Sequence, residues 1–284
     1  PIPDGFDPAG MLDAQPAAPV NEPKPYRCLG HDESGFHYLS TSFGRIITLL
    51  PAEHTELNLA MLAPDSHWME RGYFAANSNG IDYKAVAKAL IAEQARTGFH
   101  DTDLIRGLGC WLEGDTVVYH AGDRLYVNGV ETPLHAHGSI YIYPARKPIS
   151  VDLAHPATRD DAALLVQLCE LLPWHQSSWP WLLAAGCFIS PICGALDWRP
   201  HLWLLGGKGT GKSFTYTNIM SPLMGSAVIK AQSSTTEAGI RQILQADALP
   251  VIFDEVEAKD ERSIARIRSI LELARQSSSE TGGS

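Results

Sequence analysis

Short runs in which apolar and polar residues alternate occupy the first half of the chain, and this spacing is typical of β-strands. Residues 1–25 come before these runs and are rich in proline, so we expect an extended tail or linker there. The first predicted meander has strands at 26–29, 36–40 and 45–50. Helical spacing follows at 53–62 and at 82–97, where Asp82 is placed to cap the second helix.

A second meander is predicted further along the chain, with strands at 116–119, 124–127 and 130–132. Between the last two strands stands Asn128-Gly129, the pair that most strongly favours a two-residue hairpin turn. The run 139–143 is expected to add one more strand. We therefore predict a small α+β domain at residues 26–150.

The second half of the chain alternates helical and strand-like patterns. Residues 151–198 predict a helical connector, with one helix beginning near Thr158 and another at about 179–189. The later predicted elements are strands at 201–205, 227–230 and 250–253 and helices at 212–223, 236–245 and 260–275. Strands that alternate with helices are typical of a parallel sheet covered on both faces. We therefore predict an α/β core at residues 199–284.

Composition narrows the class of protein. A chain with 45% hydrophobic and 19% charged residues is globular rather than disordered. It has neither a run of eighteen apolar residues nor a leader of the secretory kind, and its five cysteines form no C-x-x-C pair. We therefore expect a cytoplasmic protein without a membrane span. The net charge of −10 requires any contact with nucleic acid to come from a local basic patch, from a ring of subunits or from other parts of the protein.

A glycine-rich motif, GGKGTGKS, follows the apolar run at 201–205 and matches G-x-x-x-x-G-K-[ST] in full. In such a motif the glycines allow successive backbone N–H groups to surround phosphate oxygens, and the next helix adds its positive end. Lys212 would reach the β- and γ-phosphates of ATP, and Ser213 would offer its hydroxyl to Mg²⁺. The expected nucleotide-binding residues are Gly206, Gly207, Lys208, Gly209, Thr210, Gly211, Lys212, Ser213 and Phe214.

An acidic pair, Asp254 and Glu255, follows the predicted strand at 250–253. The carboxyl end of a parallel strand is where ligands bind in folds of this type. We expect Asp254 to hold Mg²⁺ together with Ser213, and Glu255 to act as the general base that activates water. Lys212, Asp254 and Glu255 are therefore the expected catalytic residues, and the second carboxylate favours ATP hydrolysis over phosphate transfer to a small substrate.

Together these motifs resemble the ATPase region of phage, prophage and mobile-element primase–helicases, which are close to the superfamily three helicases. The resemblance covers about residues 198–284 and includes GGKGTGKS, FDEVEAKD and the segment SSTTE. It implies a P-loop NTPase parallel-sheet core and ATP-driven movement of a homo-oligomeric ring, commonly a hexamer, along single-stranded DNA during replication. Such helicases also need a sensor strand and an arginine finger. The chain ends at Ser284 before either, so we expect an incomplete core and weak hydrolysis by this chain alone.

The resemblance also implies which segment faces DNA, namely the helix that follows the acidic pair. Its arginines Arg262, Arg266 and Arg275 are the candidate phosphate contacts, although the same residues could pair with neighbouring carboxylates on a solvated helix. A regulatory or loader ATPase, in which ATP switches partner contacts without translocation, is the alternative function. DNA-stimulated hydrolysis would distinguish the two, and the acidic charge favours the alternative.

Three weaker signals each have a structural interpretation that is more common than the functional one. His135 and His137 could bind a metal ion, but two ligands are too few for a site. Aromatic residues could stack on bases but fit a packed core equally well or better. They are Trp174, Trp179 and Trp181 around the connector helices and Tyr119, Tyr126, Tyr141 and Tyr143 in the second meander.

Overall fold

A computed structural model describes residues 24–76, 80–150, 152, 155–232, 234–253 and 261–278. The described residues fall into two compact units. The N-terminal unit lies within Pro1–Ser42 and Ile47–Gly98, and the C-terminal unit lies within Phe43–Ile46 and Phe99–Ser284.

The N-terminal unit contains a three-stranded sheet and three helices. Its strands follow one another in the sheet in chain order, as the alternating pattern predicts. They are β1 (Tyr26–Asp32), β2 (Gly35–Ser40) and β3 (Arg45–Leu49), whose first two residues fall in the range Phe43–Ile46 of the other unit. The helices are α1 (Glu56–Ala60), α2 (Asp65–Glu70) and α3 (Tyr83–Thr97). The predicted helix at 53–62 is therefore shorter than expected, whereas the predicted helix at 82–97 is confirmed, with the Asp82 carboxylate accepting from Ala85 N at 3.0 Å.

The buried side chain of Gln94 forms hydrogen bonds with backbone groups at an irregularity in the first strand. The register of β1 against β2 shifts between Cys28 and Gly30, which interrupts the backbone ladder. Gln94 of α3 is fully buried beside this bulge. Its Oε1 accepts from Gly30 N at 2.7 Å, and its Nε2 donates to His37 O at 2.5 Å. The amide therefore satisfies two backbone groups at once.

We predict that Gln94→Leu lowers the free energy of unfolding by about 2 kcal/mol, because the leucine leaves buried backbone groups without their hydrogen bonds. Chemical denaturation followed by circular dichroism measures the change. Lys88→Leu, at an exposed position of the same helix, is the matched control and should change stability by no more than about 0.5 kcal/mol. Equal stability of the two variants would contradict the assignment.

The C-terminal unit begins with a four-stranded antiparallel meander whose sheet order follows the chain. Its strands are β4 (Gly109–Glu113), β5 (Thr116–His120), β6 (Arg124–Val127) and β7 (Val130–Pro133). The predicted hairpin is confirmed: Asn128 and Gly129 have φ values of +49° and +83°, as a two-residue turn of this kind requires. β4 was not predicted. The expected strand at 139–143 is wrong, since Ile142 makes only an isolated bridge with Ile105.

In the described residues that follow, four α-helices come before the first strand, and strands alternate with helices only from β8 onwards. The helices are α4 (Arg159–Glu170), α5 (Trp179–Ile189), α6 (Lys212–Thr215), α7 (Ser221–Met224), α8 (Glu237–Leu244) and α9 (Glu261–Ser277). The strands are β8 (Ile229–Ala231) and β9 (Val251–Phe253), which pair in parallel. α4 begins with a capping box in which the Thr158 hydroxyl accepts from Asp161 N at 3.2 Å and Asp161 accepts from Thr158 N at 2.8 Å.

The predicted P-loop NTPase parallel-sheet core is wrong for this structure. Within the described ranges, parallel strand pairing is limited to the short β8 and β9 and to isolated bridges. The larger sheets have three and four strands, and β1 pairs with β2, and β4 to β7 pair in succession, in antiparallel register. The expected strand at 201–205 is wrong, because these residues form no regular secondary structure. Leu202 lies against Gly186 of α5, and Leu204 packs on the core of the connector helices. Leu204 is thus half-buried against helices, whereas the other four residues of this apolar run are exposed, an outcome that its composition does not indicate.

The chain that leads into β9 is attached to the four-stranded sheet. Ala248 N donates to Leu108 O at 2.7 Å, and Gly107 N donates to Ala246 O at 2.8 Å. The Asp247 carboxylate accepts from Leu108 N at 2.8 Å, and burial raises the pKa of this carboxyl. The second meander and the β8–β9 pair are thus parts of one unit, joined by backbone hydrogen bonds.

Candidate nucleotide site

The glycine-rich loop, residues 206–211, connects the extended segment at 201–205 to α6. Gly209 and Gly211 have φ values of +79° and +89°, a conformation that side chains with a Cβ rarely adopt. The Thr210 hydroxyl donates to Gly207 O at 2.9 Å and closes the turn. A Cβ at Gly206 would lie 2.6 Å from that hydroxyl oxygen. Backbone conformation therefore favours glycine at Gly209 and Gly211, and a side chain at Gly206 would displace the Thr210 hydroxyl.

Lys212 lies across this loop. Its Nζ donates to Gly206 O at 2.5 Å and to Gly207 O at 2.8 Å. An ammonium group has three donor hydrogens, so these two bonds orient the group without using all of its capacity. The side chain is exposed, as are the residues of the loop around it, which leaves the cation accessible to an anion from solvent.

The helix after the loop is continuous but changes its winding. α6 passes into a π-helical turn at Tyr216–Met220 and then into α7. Pro222 explains the change, because its ring would clash with the carbonyl of Asn218 and it has no N–H to donate. At the start of the helix, the buried Thr215 donates from its backbone N and its hydroxyl to Gly211 O, at 2.9 and 3.0 Å. The end of the loop is therefore fixed to the first helical turn.

A shared hydrophobic core supports this helix from the side of the connector helices. Leu165 and Cys169 of α4 and Leu183 of α5 are buried with Ile219 of the π-helical turn. Close to the loop itself, Leu172 Cδ2 lies 4.0 Å from the position of a Cβ built on Gly211. The sequence motif does not indicate this contact, since Leu172 lies far from the loop in the chain.

The acidic half of the predicted site lies outside the described residues. The strand that leads to it is confirmed, because β9 ends at Phe253. Asp254 and Glu255 follow immediately and belong to the stretch 254–260, which the structure does not describe. Of the predicted residues, the structure therefore brings together those of the glycine-rich loop with Lys212, while the roles of the two acids stay predictions.

The arginines predicted to contact DNA lie on α9. Arg275 is 82% exposed and pairs with Glu272 at 3.4 Å, as expected of a solvated helix. Arg266 is half-buried, and the side chain of Arg262 is outside the described part of the protein. The interpretation as a solvated helix is confirmed for Arg275, and DNA contact stays a prediction for all three residues.

The histidine and tyrosine residues considered as weaker functional signals form contacts within the protein. His137 Nε2 lies 3.3 Å from Glu113, and among the described residues no group of three or more His, Cys, Asp or Glu side chains is placed to hold a metal ion. Tyr119 and Tyr126 pack on a hydrophobic core, and the buried Tyr143 donates to the Glu113 carboxylate. Tyr141 also packs on a hydrophobic core, and its ring centroid lies 4.2 Å from the Arg106 guanidinium carbon.

Comparisons with family models, curated proteins and solved structures found no match to this chain. The likeness to known proteins therefore depends on the motifs alone. Of the helices that the structure describes, none has the length and apolar character needed to cross a lipid bilayer.

We predict that Gly211→Ala destabilises the chain by about 1–2 kcal/mol, because alanine must adopt a positive φ there. Gly207→Ala is the matched control. A Cβ at Gly207 has its closest neighbour, Thr210 Cγ2, at 3.9 Å, which is ordinary contact. Thermal unfolding measures both variants, and a Gly211→Ala chain as stable as the control would disprove the loop conformation.

Proposed function

We propose that this chain binds ATP with Mg²⁺ and that the glycine-rich loop holds the phosphates. The observation that carries the proposal is the position of the Lys212 ammonium, 2.5 and 2.8 Å from two carbonyls of the loop. A fixed cation beside a glycine-rich turn at the start of a helix combines charge with backbone donors, which is what phosphate oxygens require. Phosphate binding of this kind depends on the loop and its helix, so it does not need a parallel sheet behind them.

The chain's own residues then take the following roles. Lys212 neutralises charge on the β- and γ-phosphates, and the Ser213 hydroxyl and the Asp254 carboxylate hold Mg²⁺. The metal ion, when bound, neutralises the charge that develops on the phosphate oxygens. Glu255 accepts a proton from the attacking water. The donor set of hydroxyl and carboxylate oxygens suits a hard cation of this type.

For the whole protein we propose ATP hydrolysis by the motor of a DNA helicase or primase–helicase that acts in phage or mobile-element replication. The acidic pair and the motif resemblance support this function. We further propose a cytoplasmic, homo-hexameric ring that holds single-stranded DNA. Arg262, Arg266 and Arg275 are the candidate contacts to its phosphates.

One observation favours a second candidate, a regulatory or loader ATPase that ATP switches between partners without translocation. The net charge of −10 weakens the general attraction of this chain for nucleic acid. The two functions share the nucleotide site and differ in what hydrolysis drives.

We predict that Lys212→Ala weakens the binding of ATP and Mg²⁺ by about 10- to 100-fold, the loss expected for charge-assisted hydrogen bonds to phosphate. Isothermal titration calorimetry on the 284-residue chain measures the affinity. Lys147→Ala removes an exposed lysine outside the loop and is the control for the change of net charge. Equal affinities for the wild type and Lys212→Ala would refute the proposed site.

We also predict that Glu255→Gln keeps ATP affinity within about twofold and lowers the turnover rate by about 100-fold or more, because the amide cannot accept the proton of water. Steady-state hydrolysis by the full-length protein, with and without single-stranded DNA, measures the change. Stimulation of the wild type by DNA supports the helicase function, and its absence supports the regulatory alternative. A variant with a normal turnover rate would show that Glu255 is not the general base.

A further inference from the structure

The side of α4 that faces solvent carries a stripe of leucines. Leu164, Leu168 and Leu171 are spaced by four and three residues, so they lie on one face. Leu171 directly follows the last helical residue and keeps helical dihedral angles. The three side chains belong to residues that are 54%, 44% and 81% exposed, whereas Leu165 and Cys169 are buried in the core of the connector helices. α4 thus has a second apolar face in contact with solvent, as is typical of a protein–protein contact.

The N-terminal end of this stripe is acidic. Asp160 is four residues before Leu164, which places it on the same face, and it is exposed. The neighbouring Asp161 carboxylate accepts hydrogen bonds from the backbone N and the hydroxyl of Thr158, so it is used by the capping box. Asp160 is therefore the carboxylate that this face of α4 presents to a partner.

α9 exposes a face with similar spacing and the opposite charge. Two apolar residues on it, Ile264 and Leu271, are 40% and 38% exposed. Two arginines lie between and after them at helical spacing: Arg268, which is exposed, and Arg275, whose side chain is 82% exposed. Ile270 is buried on another side of the helix. This face of α9 is thus apolar and basic, with a cation at its C-terminal end.

The two faces match in length and in order when the helices run antiparallel. One extends from residue 160 to residue 171 and the other from 264 to 275, which is the same rise of about 16 Å along each helix. Antiparallel packing also brings the positive end of the α4 dipole to the negative end of α9. The pairs that result are Asp160 with Arg275, Leu164 with Leu271, Leu168 with the aliphatic stem of Arg268, and Leu171 with Ile264.

We propose that α4 of one copy of this chain packs antiparallel against α9 of a second copy. Both faces are exposed on a single chain, so they do not cover each other within it. Because the contact joins two different faces, each copy keeps one face for a further copy, and head-to-tail contacts of this kind form a ring when the rotation between copies closes. The inference rests on the proposed homo-oligomeric ring and names the surfaces that would build it.

Apolar burial stabilises this contact, and charge sets its direction. Parallel packing would place Asp160 beside Ile264 and leave the carboxylate without its cation. Arg275 pairs with Glu272 at 3.4 Å in the single chain, but an exposed pair of this kind is weak, so the guanidinium can turn to Asp160 of the next copy. Arg275 is then used by the assembly, and Arg262 and Arg266 remain as candidate DNA contacts.

Sedimentation velocity of the 284-residue chain over a range of concentrations tests the apolar part of the contact. One helix pair buries less than the roughly 1,600 Å² of a standard interface, so we expect assembly that depends on concentration. Leu171→Glu should weaken assembly about tenfold or more, because it places a charge in the apolar stripe. Leu57→Glu on α1 is the matched control, since Leu57 is also 81% exposed, and it should assemble as the wild type does.

A charge exchange tests the direction of the contact. Asp160→Arg and Arg275→Asp each place like charges together, so each variant alone should assemble about three- to tenfold more weakly than the wild type. An equimolar mixture of the two should recover wild-type assembly, because every contact then joins an arginine to an aspartate. Far-ultraviolet circular dichroism verifies folding, and the charge variants decide if Leu171→Glu does not fold.

The outcomes separate this inference from the nucleotide site. A wild-type chain that stays monomeric up to about 200 µM, where even weak interfaces associate, would overturn the contact. Normal assembly of Leu171→Glu, or a mixture of charge variants that does not recover, would overturn it as well. ATP titrations of the same samples report on Lys212 independently. A chain that assembles as expected but does not bind ATP would support the contact and refute the nucleotide site.

Discussion

The structure around the candidate site depends on the bonds between the Lys212 ammonium and the carbonyls of Gly206 and Gly207. They hold a positive charge against a backbone turn that only glycine adopts easily at Gly209 and Gly211. The charge and the turn lie in one loop, next to the first residues of a helix. An anion that enters this loop finds a cation close by, and Lys212 can exchange its bonds to the two carbonyls for bonds to the anion.

The connector helices give this loop its fixed surroundings. α4 and α5 bury their apolar faces against the π-helical turn that follows the loop. Pro222 causes that turn, and the buried Thr215 fixes the first helical residues to Gly211. The chain before β9 is in turn attached to the antiparallel sheet through Leu108 and Asp247. The glycine-rich loop is in this way part of a unit whose larger sheet is antiparallel.

Patterns set by neighbouring residues could be predicted from the sequence. The Asn128-Gly129 turn, the helix start near Thr158 and the helices at 82–97 and 179–189 depend on local conformation, and all are confirmed. The glycine-rich loop also follows from local geometry. Long-range pairing could not be predicted in the same way. The run at 201–205 has the composition of a buried strand, yet Leu202 and Leu204 contact helices instead.

Contacts between distant parts of the chain could not be predicted at the candidate site either. Nothing in the spacing of Leu172 and Gly211 indicates that they meet, because the fold of the connector helices decides it. From the sequence, a packed core is the more common role for the tryptophans near Leu172, and Trp174 does pack on the core of the connector helices. The sequence thus predicts the residues that would bind phosphate, and the structure adds Leu172 as a neighbour of the loop.

A crystal structure of the chain with a non-hydrolysable ATP analogue and Mg²⁺ tests the central claim most directly. We expect the β-phosphate inside the bend of residues 206–213, with Lys212 Nζ moved from the loop carbonyls to the phosphate oxygens. An analogue bound elsewhere, with Lys212 still bonded to Gly206 and Gly207, would contradict the account.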